Sequence, residues 1–106
     1  MGIEVESGLL FKNSIEVKEY EDAISSPLTK IQIDGEGDCE IEISAKTHDD
    51  CDYVQLAGID NNFELINNIV KSGIYTFDTL GYRRLKINVK SLSKPTTCHI
   101  VYCDEC

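Results

Sequence analysis

The chain has 106 residues, of which 42% are hydrophobic and 27% charged, and its formal net charge is −9 at pH 7. This composition excludes a disordered chain, and the length predicts a single domain over residues 1–106. The acidic balance argues against nucleic acid and anionic membranes as partners, because both favour dense Lys and Arg. The sequence shows neither a signal peptide nor an apolar run long enough to span a membrane, which predicts synthesis in the cytoplasm without signal-directed secretion.

Charge is unevenly distributed along the chain. Residues 1–60 carry 15 Asp and Glu against 4 Lys, whereas residues 61–106 carry 4 Asp and Glu against 6 Lys and Arg. One interpretation is that the negative charge maintains solubility. The other is that the acidic half of one subunit meets the basic half of a neighbour.

Alternating apolar and polar residues predict β-strands along most of the chain, since successive side chains of a strand point to opposite faces. The strongest alternation covers residues 29–35, 37–46 and 83–92, and weaker alternation covers 13–20 and 96–103. Residues 52–58 and 73–79 are apolar enough to predict strands that are buried more fully.

Glycine, proline and asparagine mark the predicted turns. The stretch "DGEGD", residues 34–38, predicts a hairpin loop in which glycine supplies positive φ. The segment "NNFELINNIVKSG", residues 61–73, has apolar residues at helical spacing, but its many Asn disfavour a helix interior. We therefore expect a strand here, with a turn at Asn67–Asn68.

About eight short strands at a spacing of roughly ten residues are typical of an all-β fold. The predicted architecture is an antiparallel β-sandwich with a jelly-roll-like arrangement of strands.

Five cysteines are present, an odd number, which fits reduced thiols better than a disulfide framework. Cys103 and Cys106 form a C-x-x-C at the end of the chain, and Cys98 lies upstream. These three are weak candidates for a metal site, because no second pair stands at zinc-site spacing. A regular strand also points Cys98 and Cys103 to opposite faces, so no metal or cofactor is expected.

Two loops are rich in oxygen ligands. Asp49, Asp50 and Asp52 lie in residues 46–52, and Asp60, Asn61 and Asn62 lie in residues 58–62. Such loops can hold Ca²⁺, but no EF-hand spacing is present and solvated turns are the favoured interpretation.

No Ser-His-Asp elbow, phosphate-binding glycine loop or dinucleotide motif occurs in the sequence. The sequence therefore predicts a protein that is not an enzyme.

The stretch "SGIYTFDTLGYRRLKINVKSL", residues 72–92, predicts two strands and the turn that joins them. Gly73 and Gly81 suit chain reversals, and Tyr75 and Phe77 share one face and can pack between two sheets. Asp78 can accept hydrogen bonds from backbone N–H groups of the turn. The residue after Gly81 is Tyr82, whose hydroxyl can reach a backbone group as in a tyrosine corner.

The longer run of residues 56–92 resembles a pattern found in small β-sandwich domains of tailed-phage and prophage virion proteins. The matching residues are Gly58, Gly73, Ile74, Tyr75, Phe77, Asp78, Gly81, Tyr82, Arg84, Leu85, Ile87 and Val89. The chain departs from the pattern at Leu80, where the family often has a small residue. The resemblance implies a non-enzymatic structural protein of a phage or phage-like particle, used in capsid decoration, the tail or the baseplate.

The same resemblance implies a virion location, other virion proteins as partners and homo-oligomerisation. The candidate subunit-contact residues form a basic segment over 83–94. They are Arg83, Arg84, Lys86, Lys90 and, at its end, Lys94. An ordinary solvated sheet face is the alternative interpretation of this segment.

Two other functions stay open at this point. A carbohydrate- or receptor-binding module of the same fold needs exposed aromatic rings, for which Tyr20 and Tyr53 are the candidates. A small metal-binding protein using the C-terminal cysteines is the second.

Overall fold

The computed structural model describes residues 5–103, which form two antiparallel sheets packed face to face. Seven strands have five or more residues: β1 (Val5–Ser14), β2 (Glu19–Ala23), β3 (Leu28–Gly35), β4 (Cys39–Lys46), β9 (Gly73–Asp78), β10 (Arg84–Leu92) and β11 (Thr96–Cys103). Four have two residues: β5 (Val54–Gln55), β6 (Gly58–Ile59), β7 (Leu65–Ile66) and β8 (Asn68–Ile69). The predicted antiparallel β-sandwich is confirmed, with eleven strands in this part of the chain instead of about eight.

Sheet A has six strands in the order β1-β11-β3-β9-β6-β7. Sheet B has the order β2-β10-β4-β5, and β8 pairs with β4 as its fifth strand. Within residues 5–103 no helix is long and apolar enough to cross a membrane.

One apolar layer lies between the sheets. Sheet A contributes the alternate residues Ile31, Ile33, Tyr75, Phe77, Cys98 and Ile100, and sheet B contributes Ile41, Ile43, Leu85, Ile87 and Val89. All are at most 4% exposed, which confirms the alternation predicted over 29–35, 37–46, 83–92 and 96–103. In residues 73–78, for which fuller burial was expected, only Tyr75 and Phe77 are buried and the other residues are half-buried or exposed. Tyr75 and Phe77 lie in this inter-sheet layer as expected.

The expected hairpin at residues 34–38 is wrong. The strands on either side lie in different sheets, so this loop carries the chain across the sandwich. Neither Gly35 nor Gly37 has a positive φ. A Cβ on Gly37 would lie 2.3 Å from Ser93 Oγ, so the residue is small because the loop approaches the β10–β11 connection closely.

Two further strand predictions are wrong in their placement. Residues 15–18 lie outside strands, and the side chains of Ile15 and Val17 are 62% and 60% exposed. In the segment 52–58, for which fuller burial was expected, Val54 is 64% exposed on the short edge strand β5. Both segments have apolar residues, but no second sheet covers these side chains.

Residues 61–73 form no helix, as predicted, but only two short strands lie within the segment, β7 and β8, before β9 begins at Gly73. The expected turn at Asn67–Asn68 is displaced, since Asn68 is the first residue of β8. β7 belongs to sheet A and β8 pairs with β4 in sheet B, so Asn67 carries the chain between the sheets. Asn68 also accepts a hydrogen bond through Oδ1 from Gln55 Nε2 at 2.7 Å.

The turn around Gly81 has the predicted glycine geometry. Gly81 has a φ of +87°, and the Tyr82 N–H donates to the Thr79 carbonyl at 3.1 Å. Asp78 Oδ1 accepts from the Leu80 N–H at 3.1 Å, as expected for this carboxylate. The bond expected of the Tyr82 hydroxyl is not formed with any residue of 5–103. The Tyr75 hydroxyl bonds back to the main chain instead, donating to the Lys71 carbonyl at 2.8 Å.

Candidate interaction surfaces

The outer face of sheet B carries three of the predicted contact residues. Arg84, Lys86 and Lys90 lie on β10, the strand between the acidic edge strand β2 and β4. Arg83 directly precedes β10 and is exposed; its carbonyl accepts a hydrogen bond from the Ile24 N–H at 2.8 Å. The basic segment therefore lies across the middle of sheet B, with Lys94 in the loop after it.

One lysine of this basic segment forms an ion pair with an acidic residue of the same chain, and a second faces an acidic residue on the neighbouring strand. Lys90 Nζ donates to Glu42 Oε2 at 3.1 Å, and Lys86 lies opposite Glu21 in the β2–β10 register. A solvated ion pair of this kind contributes at most about 1 kcal/mol to stability. The arrangement favours solubility and a specific charge pattern over a continuous positive patch.

Tyr53 is enclosed by cations on this face. The Nζ atoms of Lys46 and Lys86 lie 4.7 and 4.6 Å from the centre of its ring. Burial raises the pKa of the Tyr53 hydroxyl; nearby Glu21 raises it further, and Arg84 opposes the shift. The two lysine side chains lie over the ring, so Tyr53 lacks the open aromatic face that a sugar-binding platform needs.

Tyr20, the other tyrosine considered as a sugar platform, is also engaged. Its ring stacks on Phe11 with centroids 5.5 Å apart, and Lys18 Nζ lies 4.9 Å from the ring centre. The two tyrosines suggested by the sequence thus stabilise the surface of the sandwich and present no free platform.

The candidate metal residues do not converge. β11 pairs with β3 in unbroken register, which leaves Cys98 facing the core and Cys103 on the opposite face. Burial raises the pKa of the Cys98 thiol to about 12, so it stays protonated at neutral pH and is a poor ligand. Cys106 lies outside the described residues, and within residues 5–103 no three His, Cys, Asp or Glu side chains cluster in a way that could hold a metal ion.

Loop 46–52 satisfies many of its polar groups internally. The Asp50 N–H donates to His48 Nδ1 at 3.1 Å, and the Cys51 N–H donates to the His48 carbonyl at 3.0 Å. Lys46 Nζ also donates to the Asp49 carbonyl at 3.1 Å. These bonds hold the loop as a turn through Lys46, His48 and the backbone, and none of them uses the carboxylate of an Asp in the loop.

The outer face of sheet A is different, because apolar and uncharged residues are frequent on it. One row of paired residues runs across its strands through Val101, Lys30, Thr76, Ile59 and Leu65. At the end of this row Ile59 and Leu65 are 42% and 74% exposed, and Phe63 between them is 89% exposed. No sequence pattern singled out Phe63, although an aromatic residue next to an Asp-Asn-Asn turn is a signal that could have identified it.

No protein-family model matches the chain, and no curated protein matches it. Two solved structures have the same fold. The SPBc2 prophage-derived protein YomS has a TM-score of 0.81 at 15% sequence identity, over 97% of this chain and 96% of YomS. The PBSX exported protein XepA has a TM-score of 0.84 at 10% identity, over 97% of this chain but only 39% of XepA.

These likenesses define a class: an antiparallel β-sandwich that occurs in prophage-derived proteins. At 15% and 10% identity they show the fold alone. The chain corresponds to nearly all of YomS and to 39% of XepA.

Proposed function

We propose that this protein is a non-enzymatic, phage-related protein that acts through contacts with other subunits. Its setting is a phage or phage-like particle, in capsid decoration, the tail or the baseplate, with other virion proteins and further copies of itself as partners. The observation that carries the proposal is the match of 97% of the chain to two prophage-derived structures.

The use of its polar side chains supports a structural role. Cys98 is buried and protonated, Asp78 caps a turn, and Tyr75 anchors a loop. Each of these residue types can serve catalysis, but here each is engaged in holding the sandwich together.

Arg83 is the basic residue best placed for a subunit contact. It is exposed and precedes β10. The lysines within β10 lie beside acidic residues, since Lys86 faces Glu21 across the strand pair and Lys90 donates a hydrogen bond to Glu42. A contact with an acidic surface of a neighbouring subunit fits a chain whose net charge is −9.

The test is sedimentation with particles from phage-producing cells. We expect the full-length protein in the particle fraction of a density gradient, and Arg83→Glu should lower its amount relative to the wild type. Lys12→Glu, the same charge reversal at an exposed site on β1, is the matched control and should leave it unchanged. A protein that stays entirely in the soluble fraction while intact particles sediment would contradict the proposed setting.

A further inference from the structure

The turn between β6 and β7 holds an aromatic side chain out into solvent. Phe63 has a φ of 62°, in the left-handed region that bulky side chains rarely adopt, and its side chain is 89% exposed. Asn or Gly would suit this backbone position better, and a polar residue would suit the exposure. A residue that is unfavourable on both counts marks a functional position, because local strain collects where function requires it.

Hydrogen bonds fix this turn in place. Asp60 Oδ1 accepts from the N–H groups of Asn62 at 2.8 Å and Glu64 at 3.0 Å. The Phe63 N–H donates to the Asp60 carbonyl at 3.1 Å, and the Asp60 N–H donates to the Glu64 carbonyl at 3.0 Å. The ring is therefore presented from a rigid loop, which lowers the entropy cost of binding a ligand against it.

A cleft of about 240 Å³ opens beside the ring. It is lined by Lys30, Ile59, Asp60, Asn61, Phe63 and Thr76. Among the described residues, the side chains of Lys30, Asn61 and Thr76 have no hydrogen-bond partner, so their donors and acceptors are available to a ligand.

We infer that this cleft binds a neutral sugar, with Phe63 as the stacking platform. The C–H face of a hexose packs against an aromatic ring, and its adjacent hydroxyls exchange hydrogen bonds with amide, carboxylate and hydroxyl groups. The cleft provides both an aromatic ring, that of Phe63, and polar side chains beside it. The cleft carries one positive side chain, Lys30, and one negative side chain, Asp60, and therefore provides no net charge to select a charged sugar.

Another, larger cleft lacks this combination. It measures about 410 Å³ and is lined by Asn13, Asp34, Gly35, Glu36, Lys94, Pro95 and Thr97. None of these lining residues is aromatic, so they offer hydrogen bonds without a stacking surface.

The proposed sugar site is a function additional to the proposed role in a particle, and it does not depend on that role.

The test is an NMR titration of the full-length protein with glucose, galactose, rhamnose and N-acetylglucosamine at millimolar concentrations. We expect at least one of these sugars to shift the amide signals of residues 59–64 together with those of Lys30 and Thr76. Phe63→Asn should weaken that binding about tenfold or more, the effect of losing one aromatic contact. Its melting temperature should not fall below that of the wild type, since Asn tolerates the left-handed conformation.

Leu80→Asn is the matched control, because it removes another exposed apolar side chain, 72% exposed, from a different turn. It should leave sugar binding unchanged. Asn61→Ala tests the polar side of the cleft without changing the strained residue and should also weaken binding.

The inference is overturned if none of the four sugars shifts the cleft signals, or if Phe63→Asn and Leu80→Asn bind sugar equally. If no sugar responds and Phe63→Asn abolishes association with a particle protein, the surface is a protein-docking site instead. Loss of sugar binding leaves sedimentation with particles intact, so the two proposals fail separately.

Discussion

At the scale of single residues, Gly58 shows how one missing side chain permits the core to close. A Cβ built on Gly58 would lie 2.5 Å from the ring of Phe77, which is fully buried between the sheets. The short strand β6 can approach β9 only because this position has no side chain.

Gly58→Ala is accordingly expected to destabilise the protein by about 1–3 kcal/mol, the usual cost of overpacking a core. Urea unfolding followed by circular dichroism measures the change. The control is Gly8→Ala in β1, where a Cβ meets nothing within 4 Å and stability should hold or rise slightly. Equal losses in the two variants would mean that the contact with Phe77 is not the cause.

Cys98 makes stability depend on pH in the alkaline range. The pKa of its thiol is about 12 in the folded protein against an ordinary value of 9.0, because burial disfavours the thiolate. As the pH rises, the unfolded state therefore loses this proton first. The contribution is complete below about pH 9 and is lost as the pH rises towards 12, by about 1.4 kcal/mol per pH unit where the two states differ by one proton.

Urea unfolding at pH 8 and pH 10 checks this prediction, with Cys98→Ala as the comparison. The wild type should lose more stability between the two pH values than the variant does, by about 1–2 kcal/mol. Parallel losses would assign the alkaline effect to other groups, of which Cys39 and the tyrosines with raised pKa values are the first candidates.

At the scale of elements, the crossover loops are tied together in pairs at opposite ends of the sandwich. At one end the Ser93 N–H and Oγ both donate to the Asp38 carbonyl, each at 3.0 Å. At the other, the Thr79 N–H donates to the Pro27 carbonyl at 3.0 Å and Thr79 Oγ1 donates to the Ser26 carbonyl at 2.8 Å. The bonds between loops fix how the two sheets stack.

Thr79→Val should cost about 1–3 kcal/mol in unfolding free energy. It removes a buried hydroxyl that bonds both the Ser26 carbonyl and Thr29 Oγ1, the latter at 3.0 Å, and Val supplies no replacement. The same substitution at Thr76, a half-buried strand residue whose hydroxyl has no partner among residues 5–103, should change stability by less than about 0.5 kcal/mol. If Thr76→Val costs as much, the loss reflects the shape change and not the crossover bonds.

At the scale of the whole molecule, nearly every long strand pairs with one distant in sequence. β1 pairs with β11, β2 with β10, and β3 with both β9 and β11. The tight hairpin β6–β7 is a local exception. The chain must close large loops before most of its sheet contacts can form.

We therefore expect folding in milliseconds to seconds, in the slow part of the range for small domains. Stopped-flow refolding from urea, followed by far-UV circular dichroism, measures this rate. Complete folding within about 100 μs would contradict a mechanism limited by these distant pairings.

Much of the local structure was predictable from the sequence. The strands around Ile31, Ile41 and Ile87 were identified because strict alternation places every second residue against a buried layer, and the strand around Ile100 was identified from a weaker alternation. The absence of a helix over 61–73 was also predicted correctly, because Asn disfavours a helix interior. The roles of Gly81 and Asp78 followed from turn chemistry, which acts over a few residues and needs no knowledge of the remaining fold.

The candidate surfaces were less predictable. Tyr20 and Tyr53 are as aromatic in the sequence as Phe63, and only the fold shows that lysines and Phe11 cover the first two while Phe63 stands in solvent. The basic residues of β10 could be identified from the sequence, but Lys90 is neutralised by Glu42, which lies 48 residues away along the chain. The spacing of residues along the chain does not show which distant residues will become such partners.

The sequence by itself thus determined an acidic all-β protein, because composition and alternation are properties of individual residues and their neighbours. Tertiary structure decided which strands share a sheet, why residues 34–38 cross the sandwich instead of forming a hairpin, and which aromatic ring meets solvent. Those outcomes depend on contacts between distant segments, whose burial and close approach are settled only when the two sheets pack together.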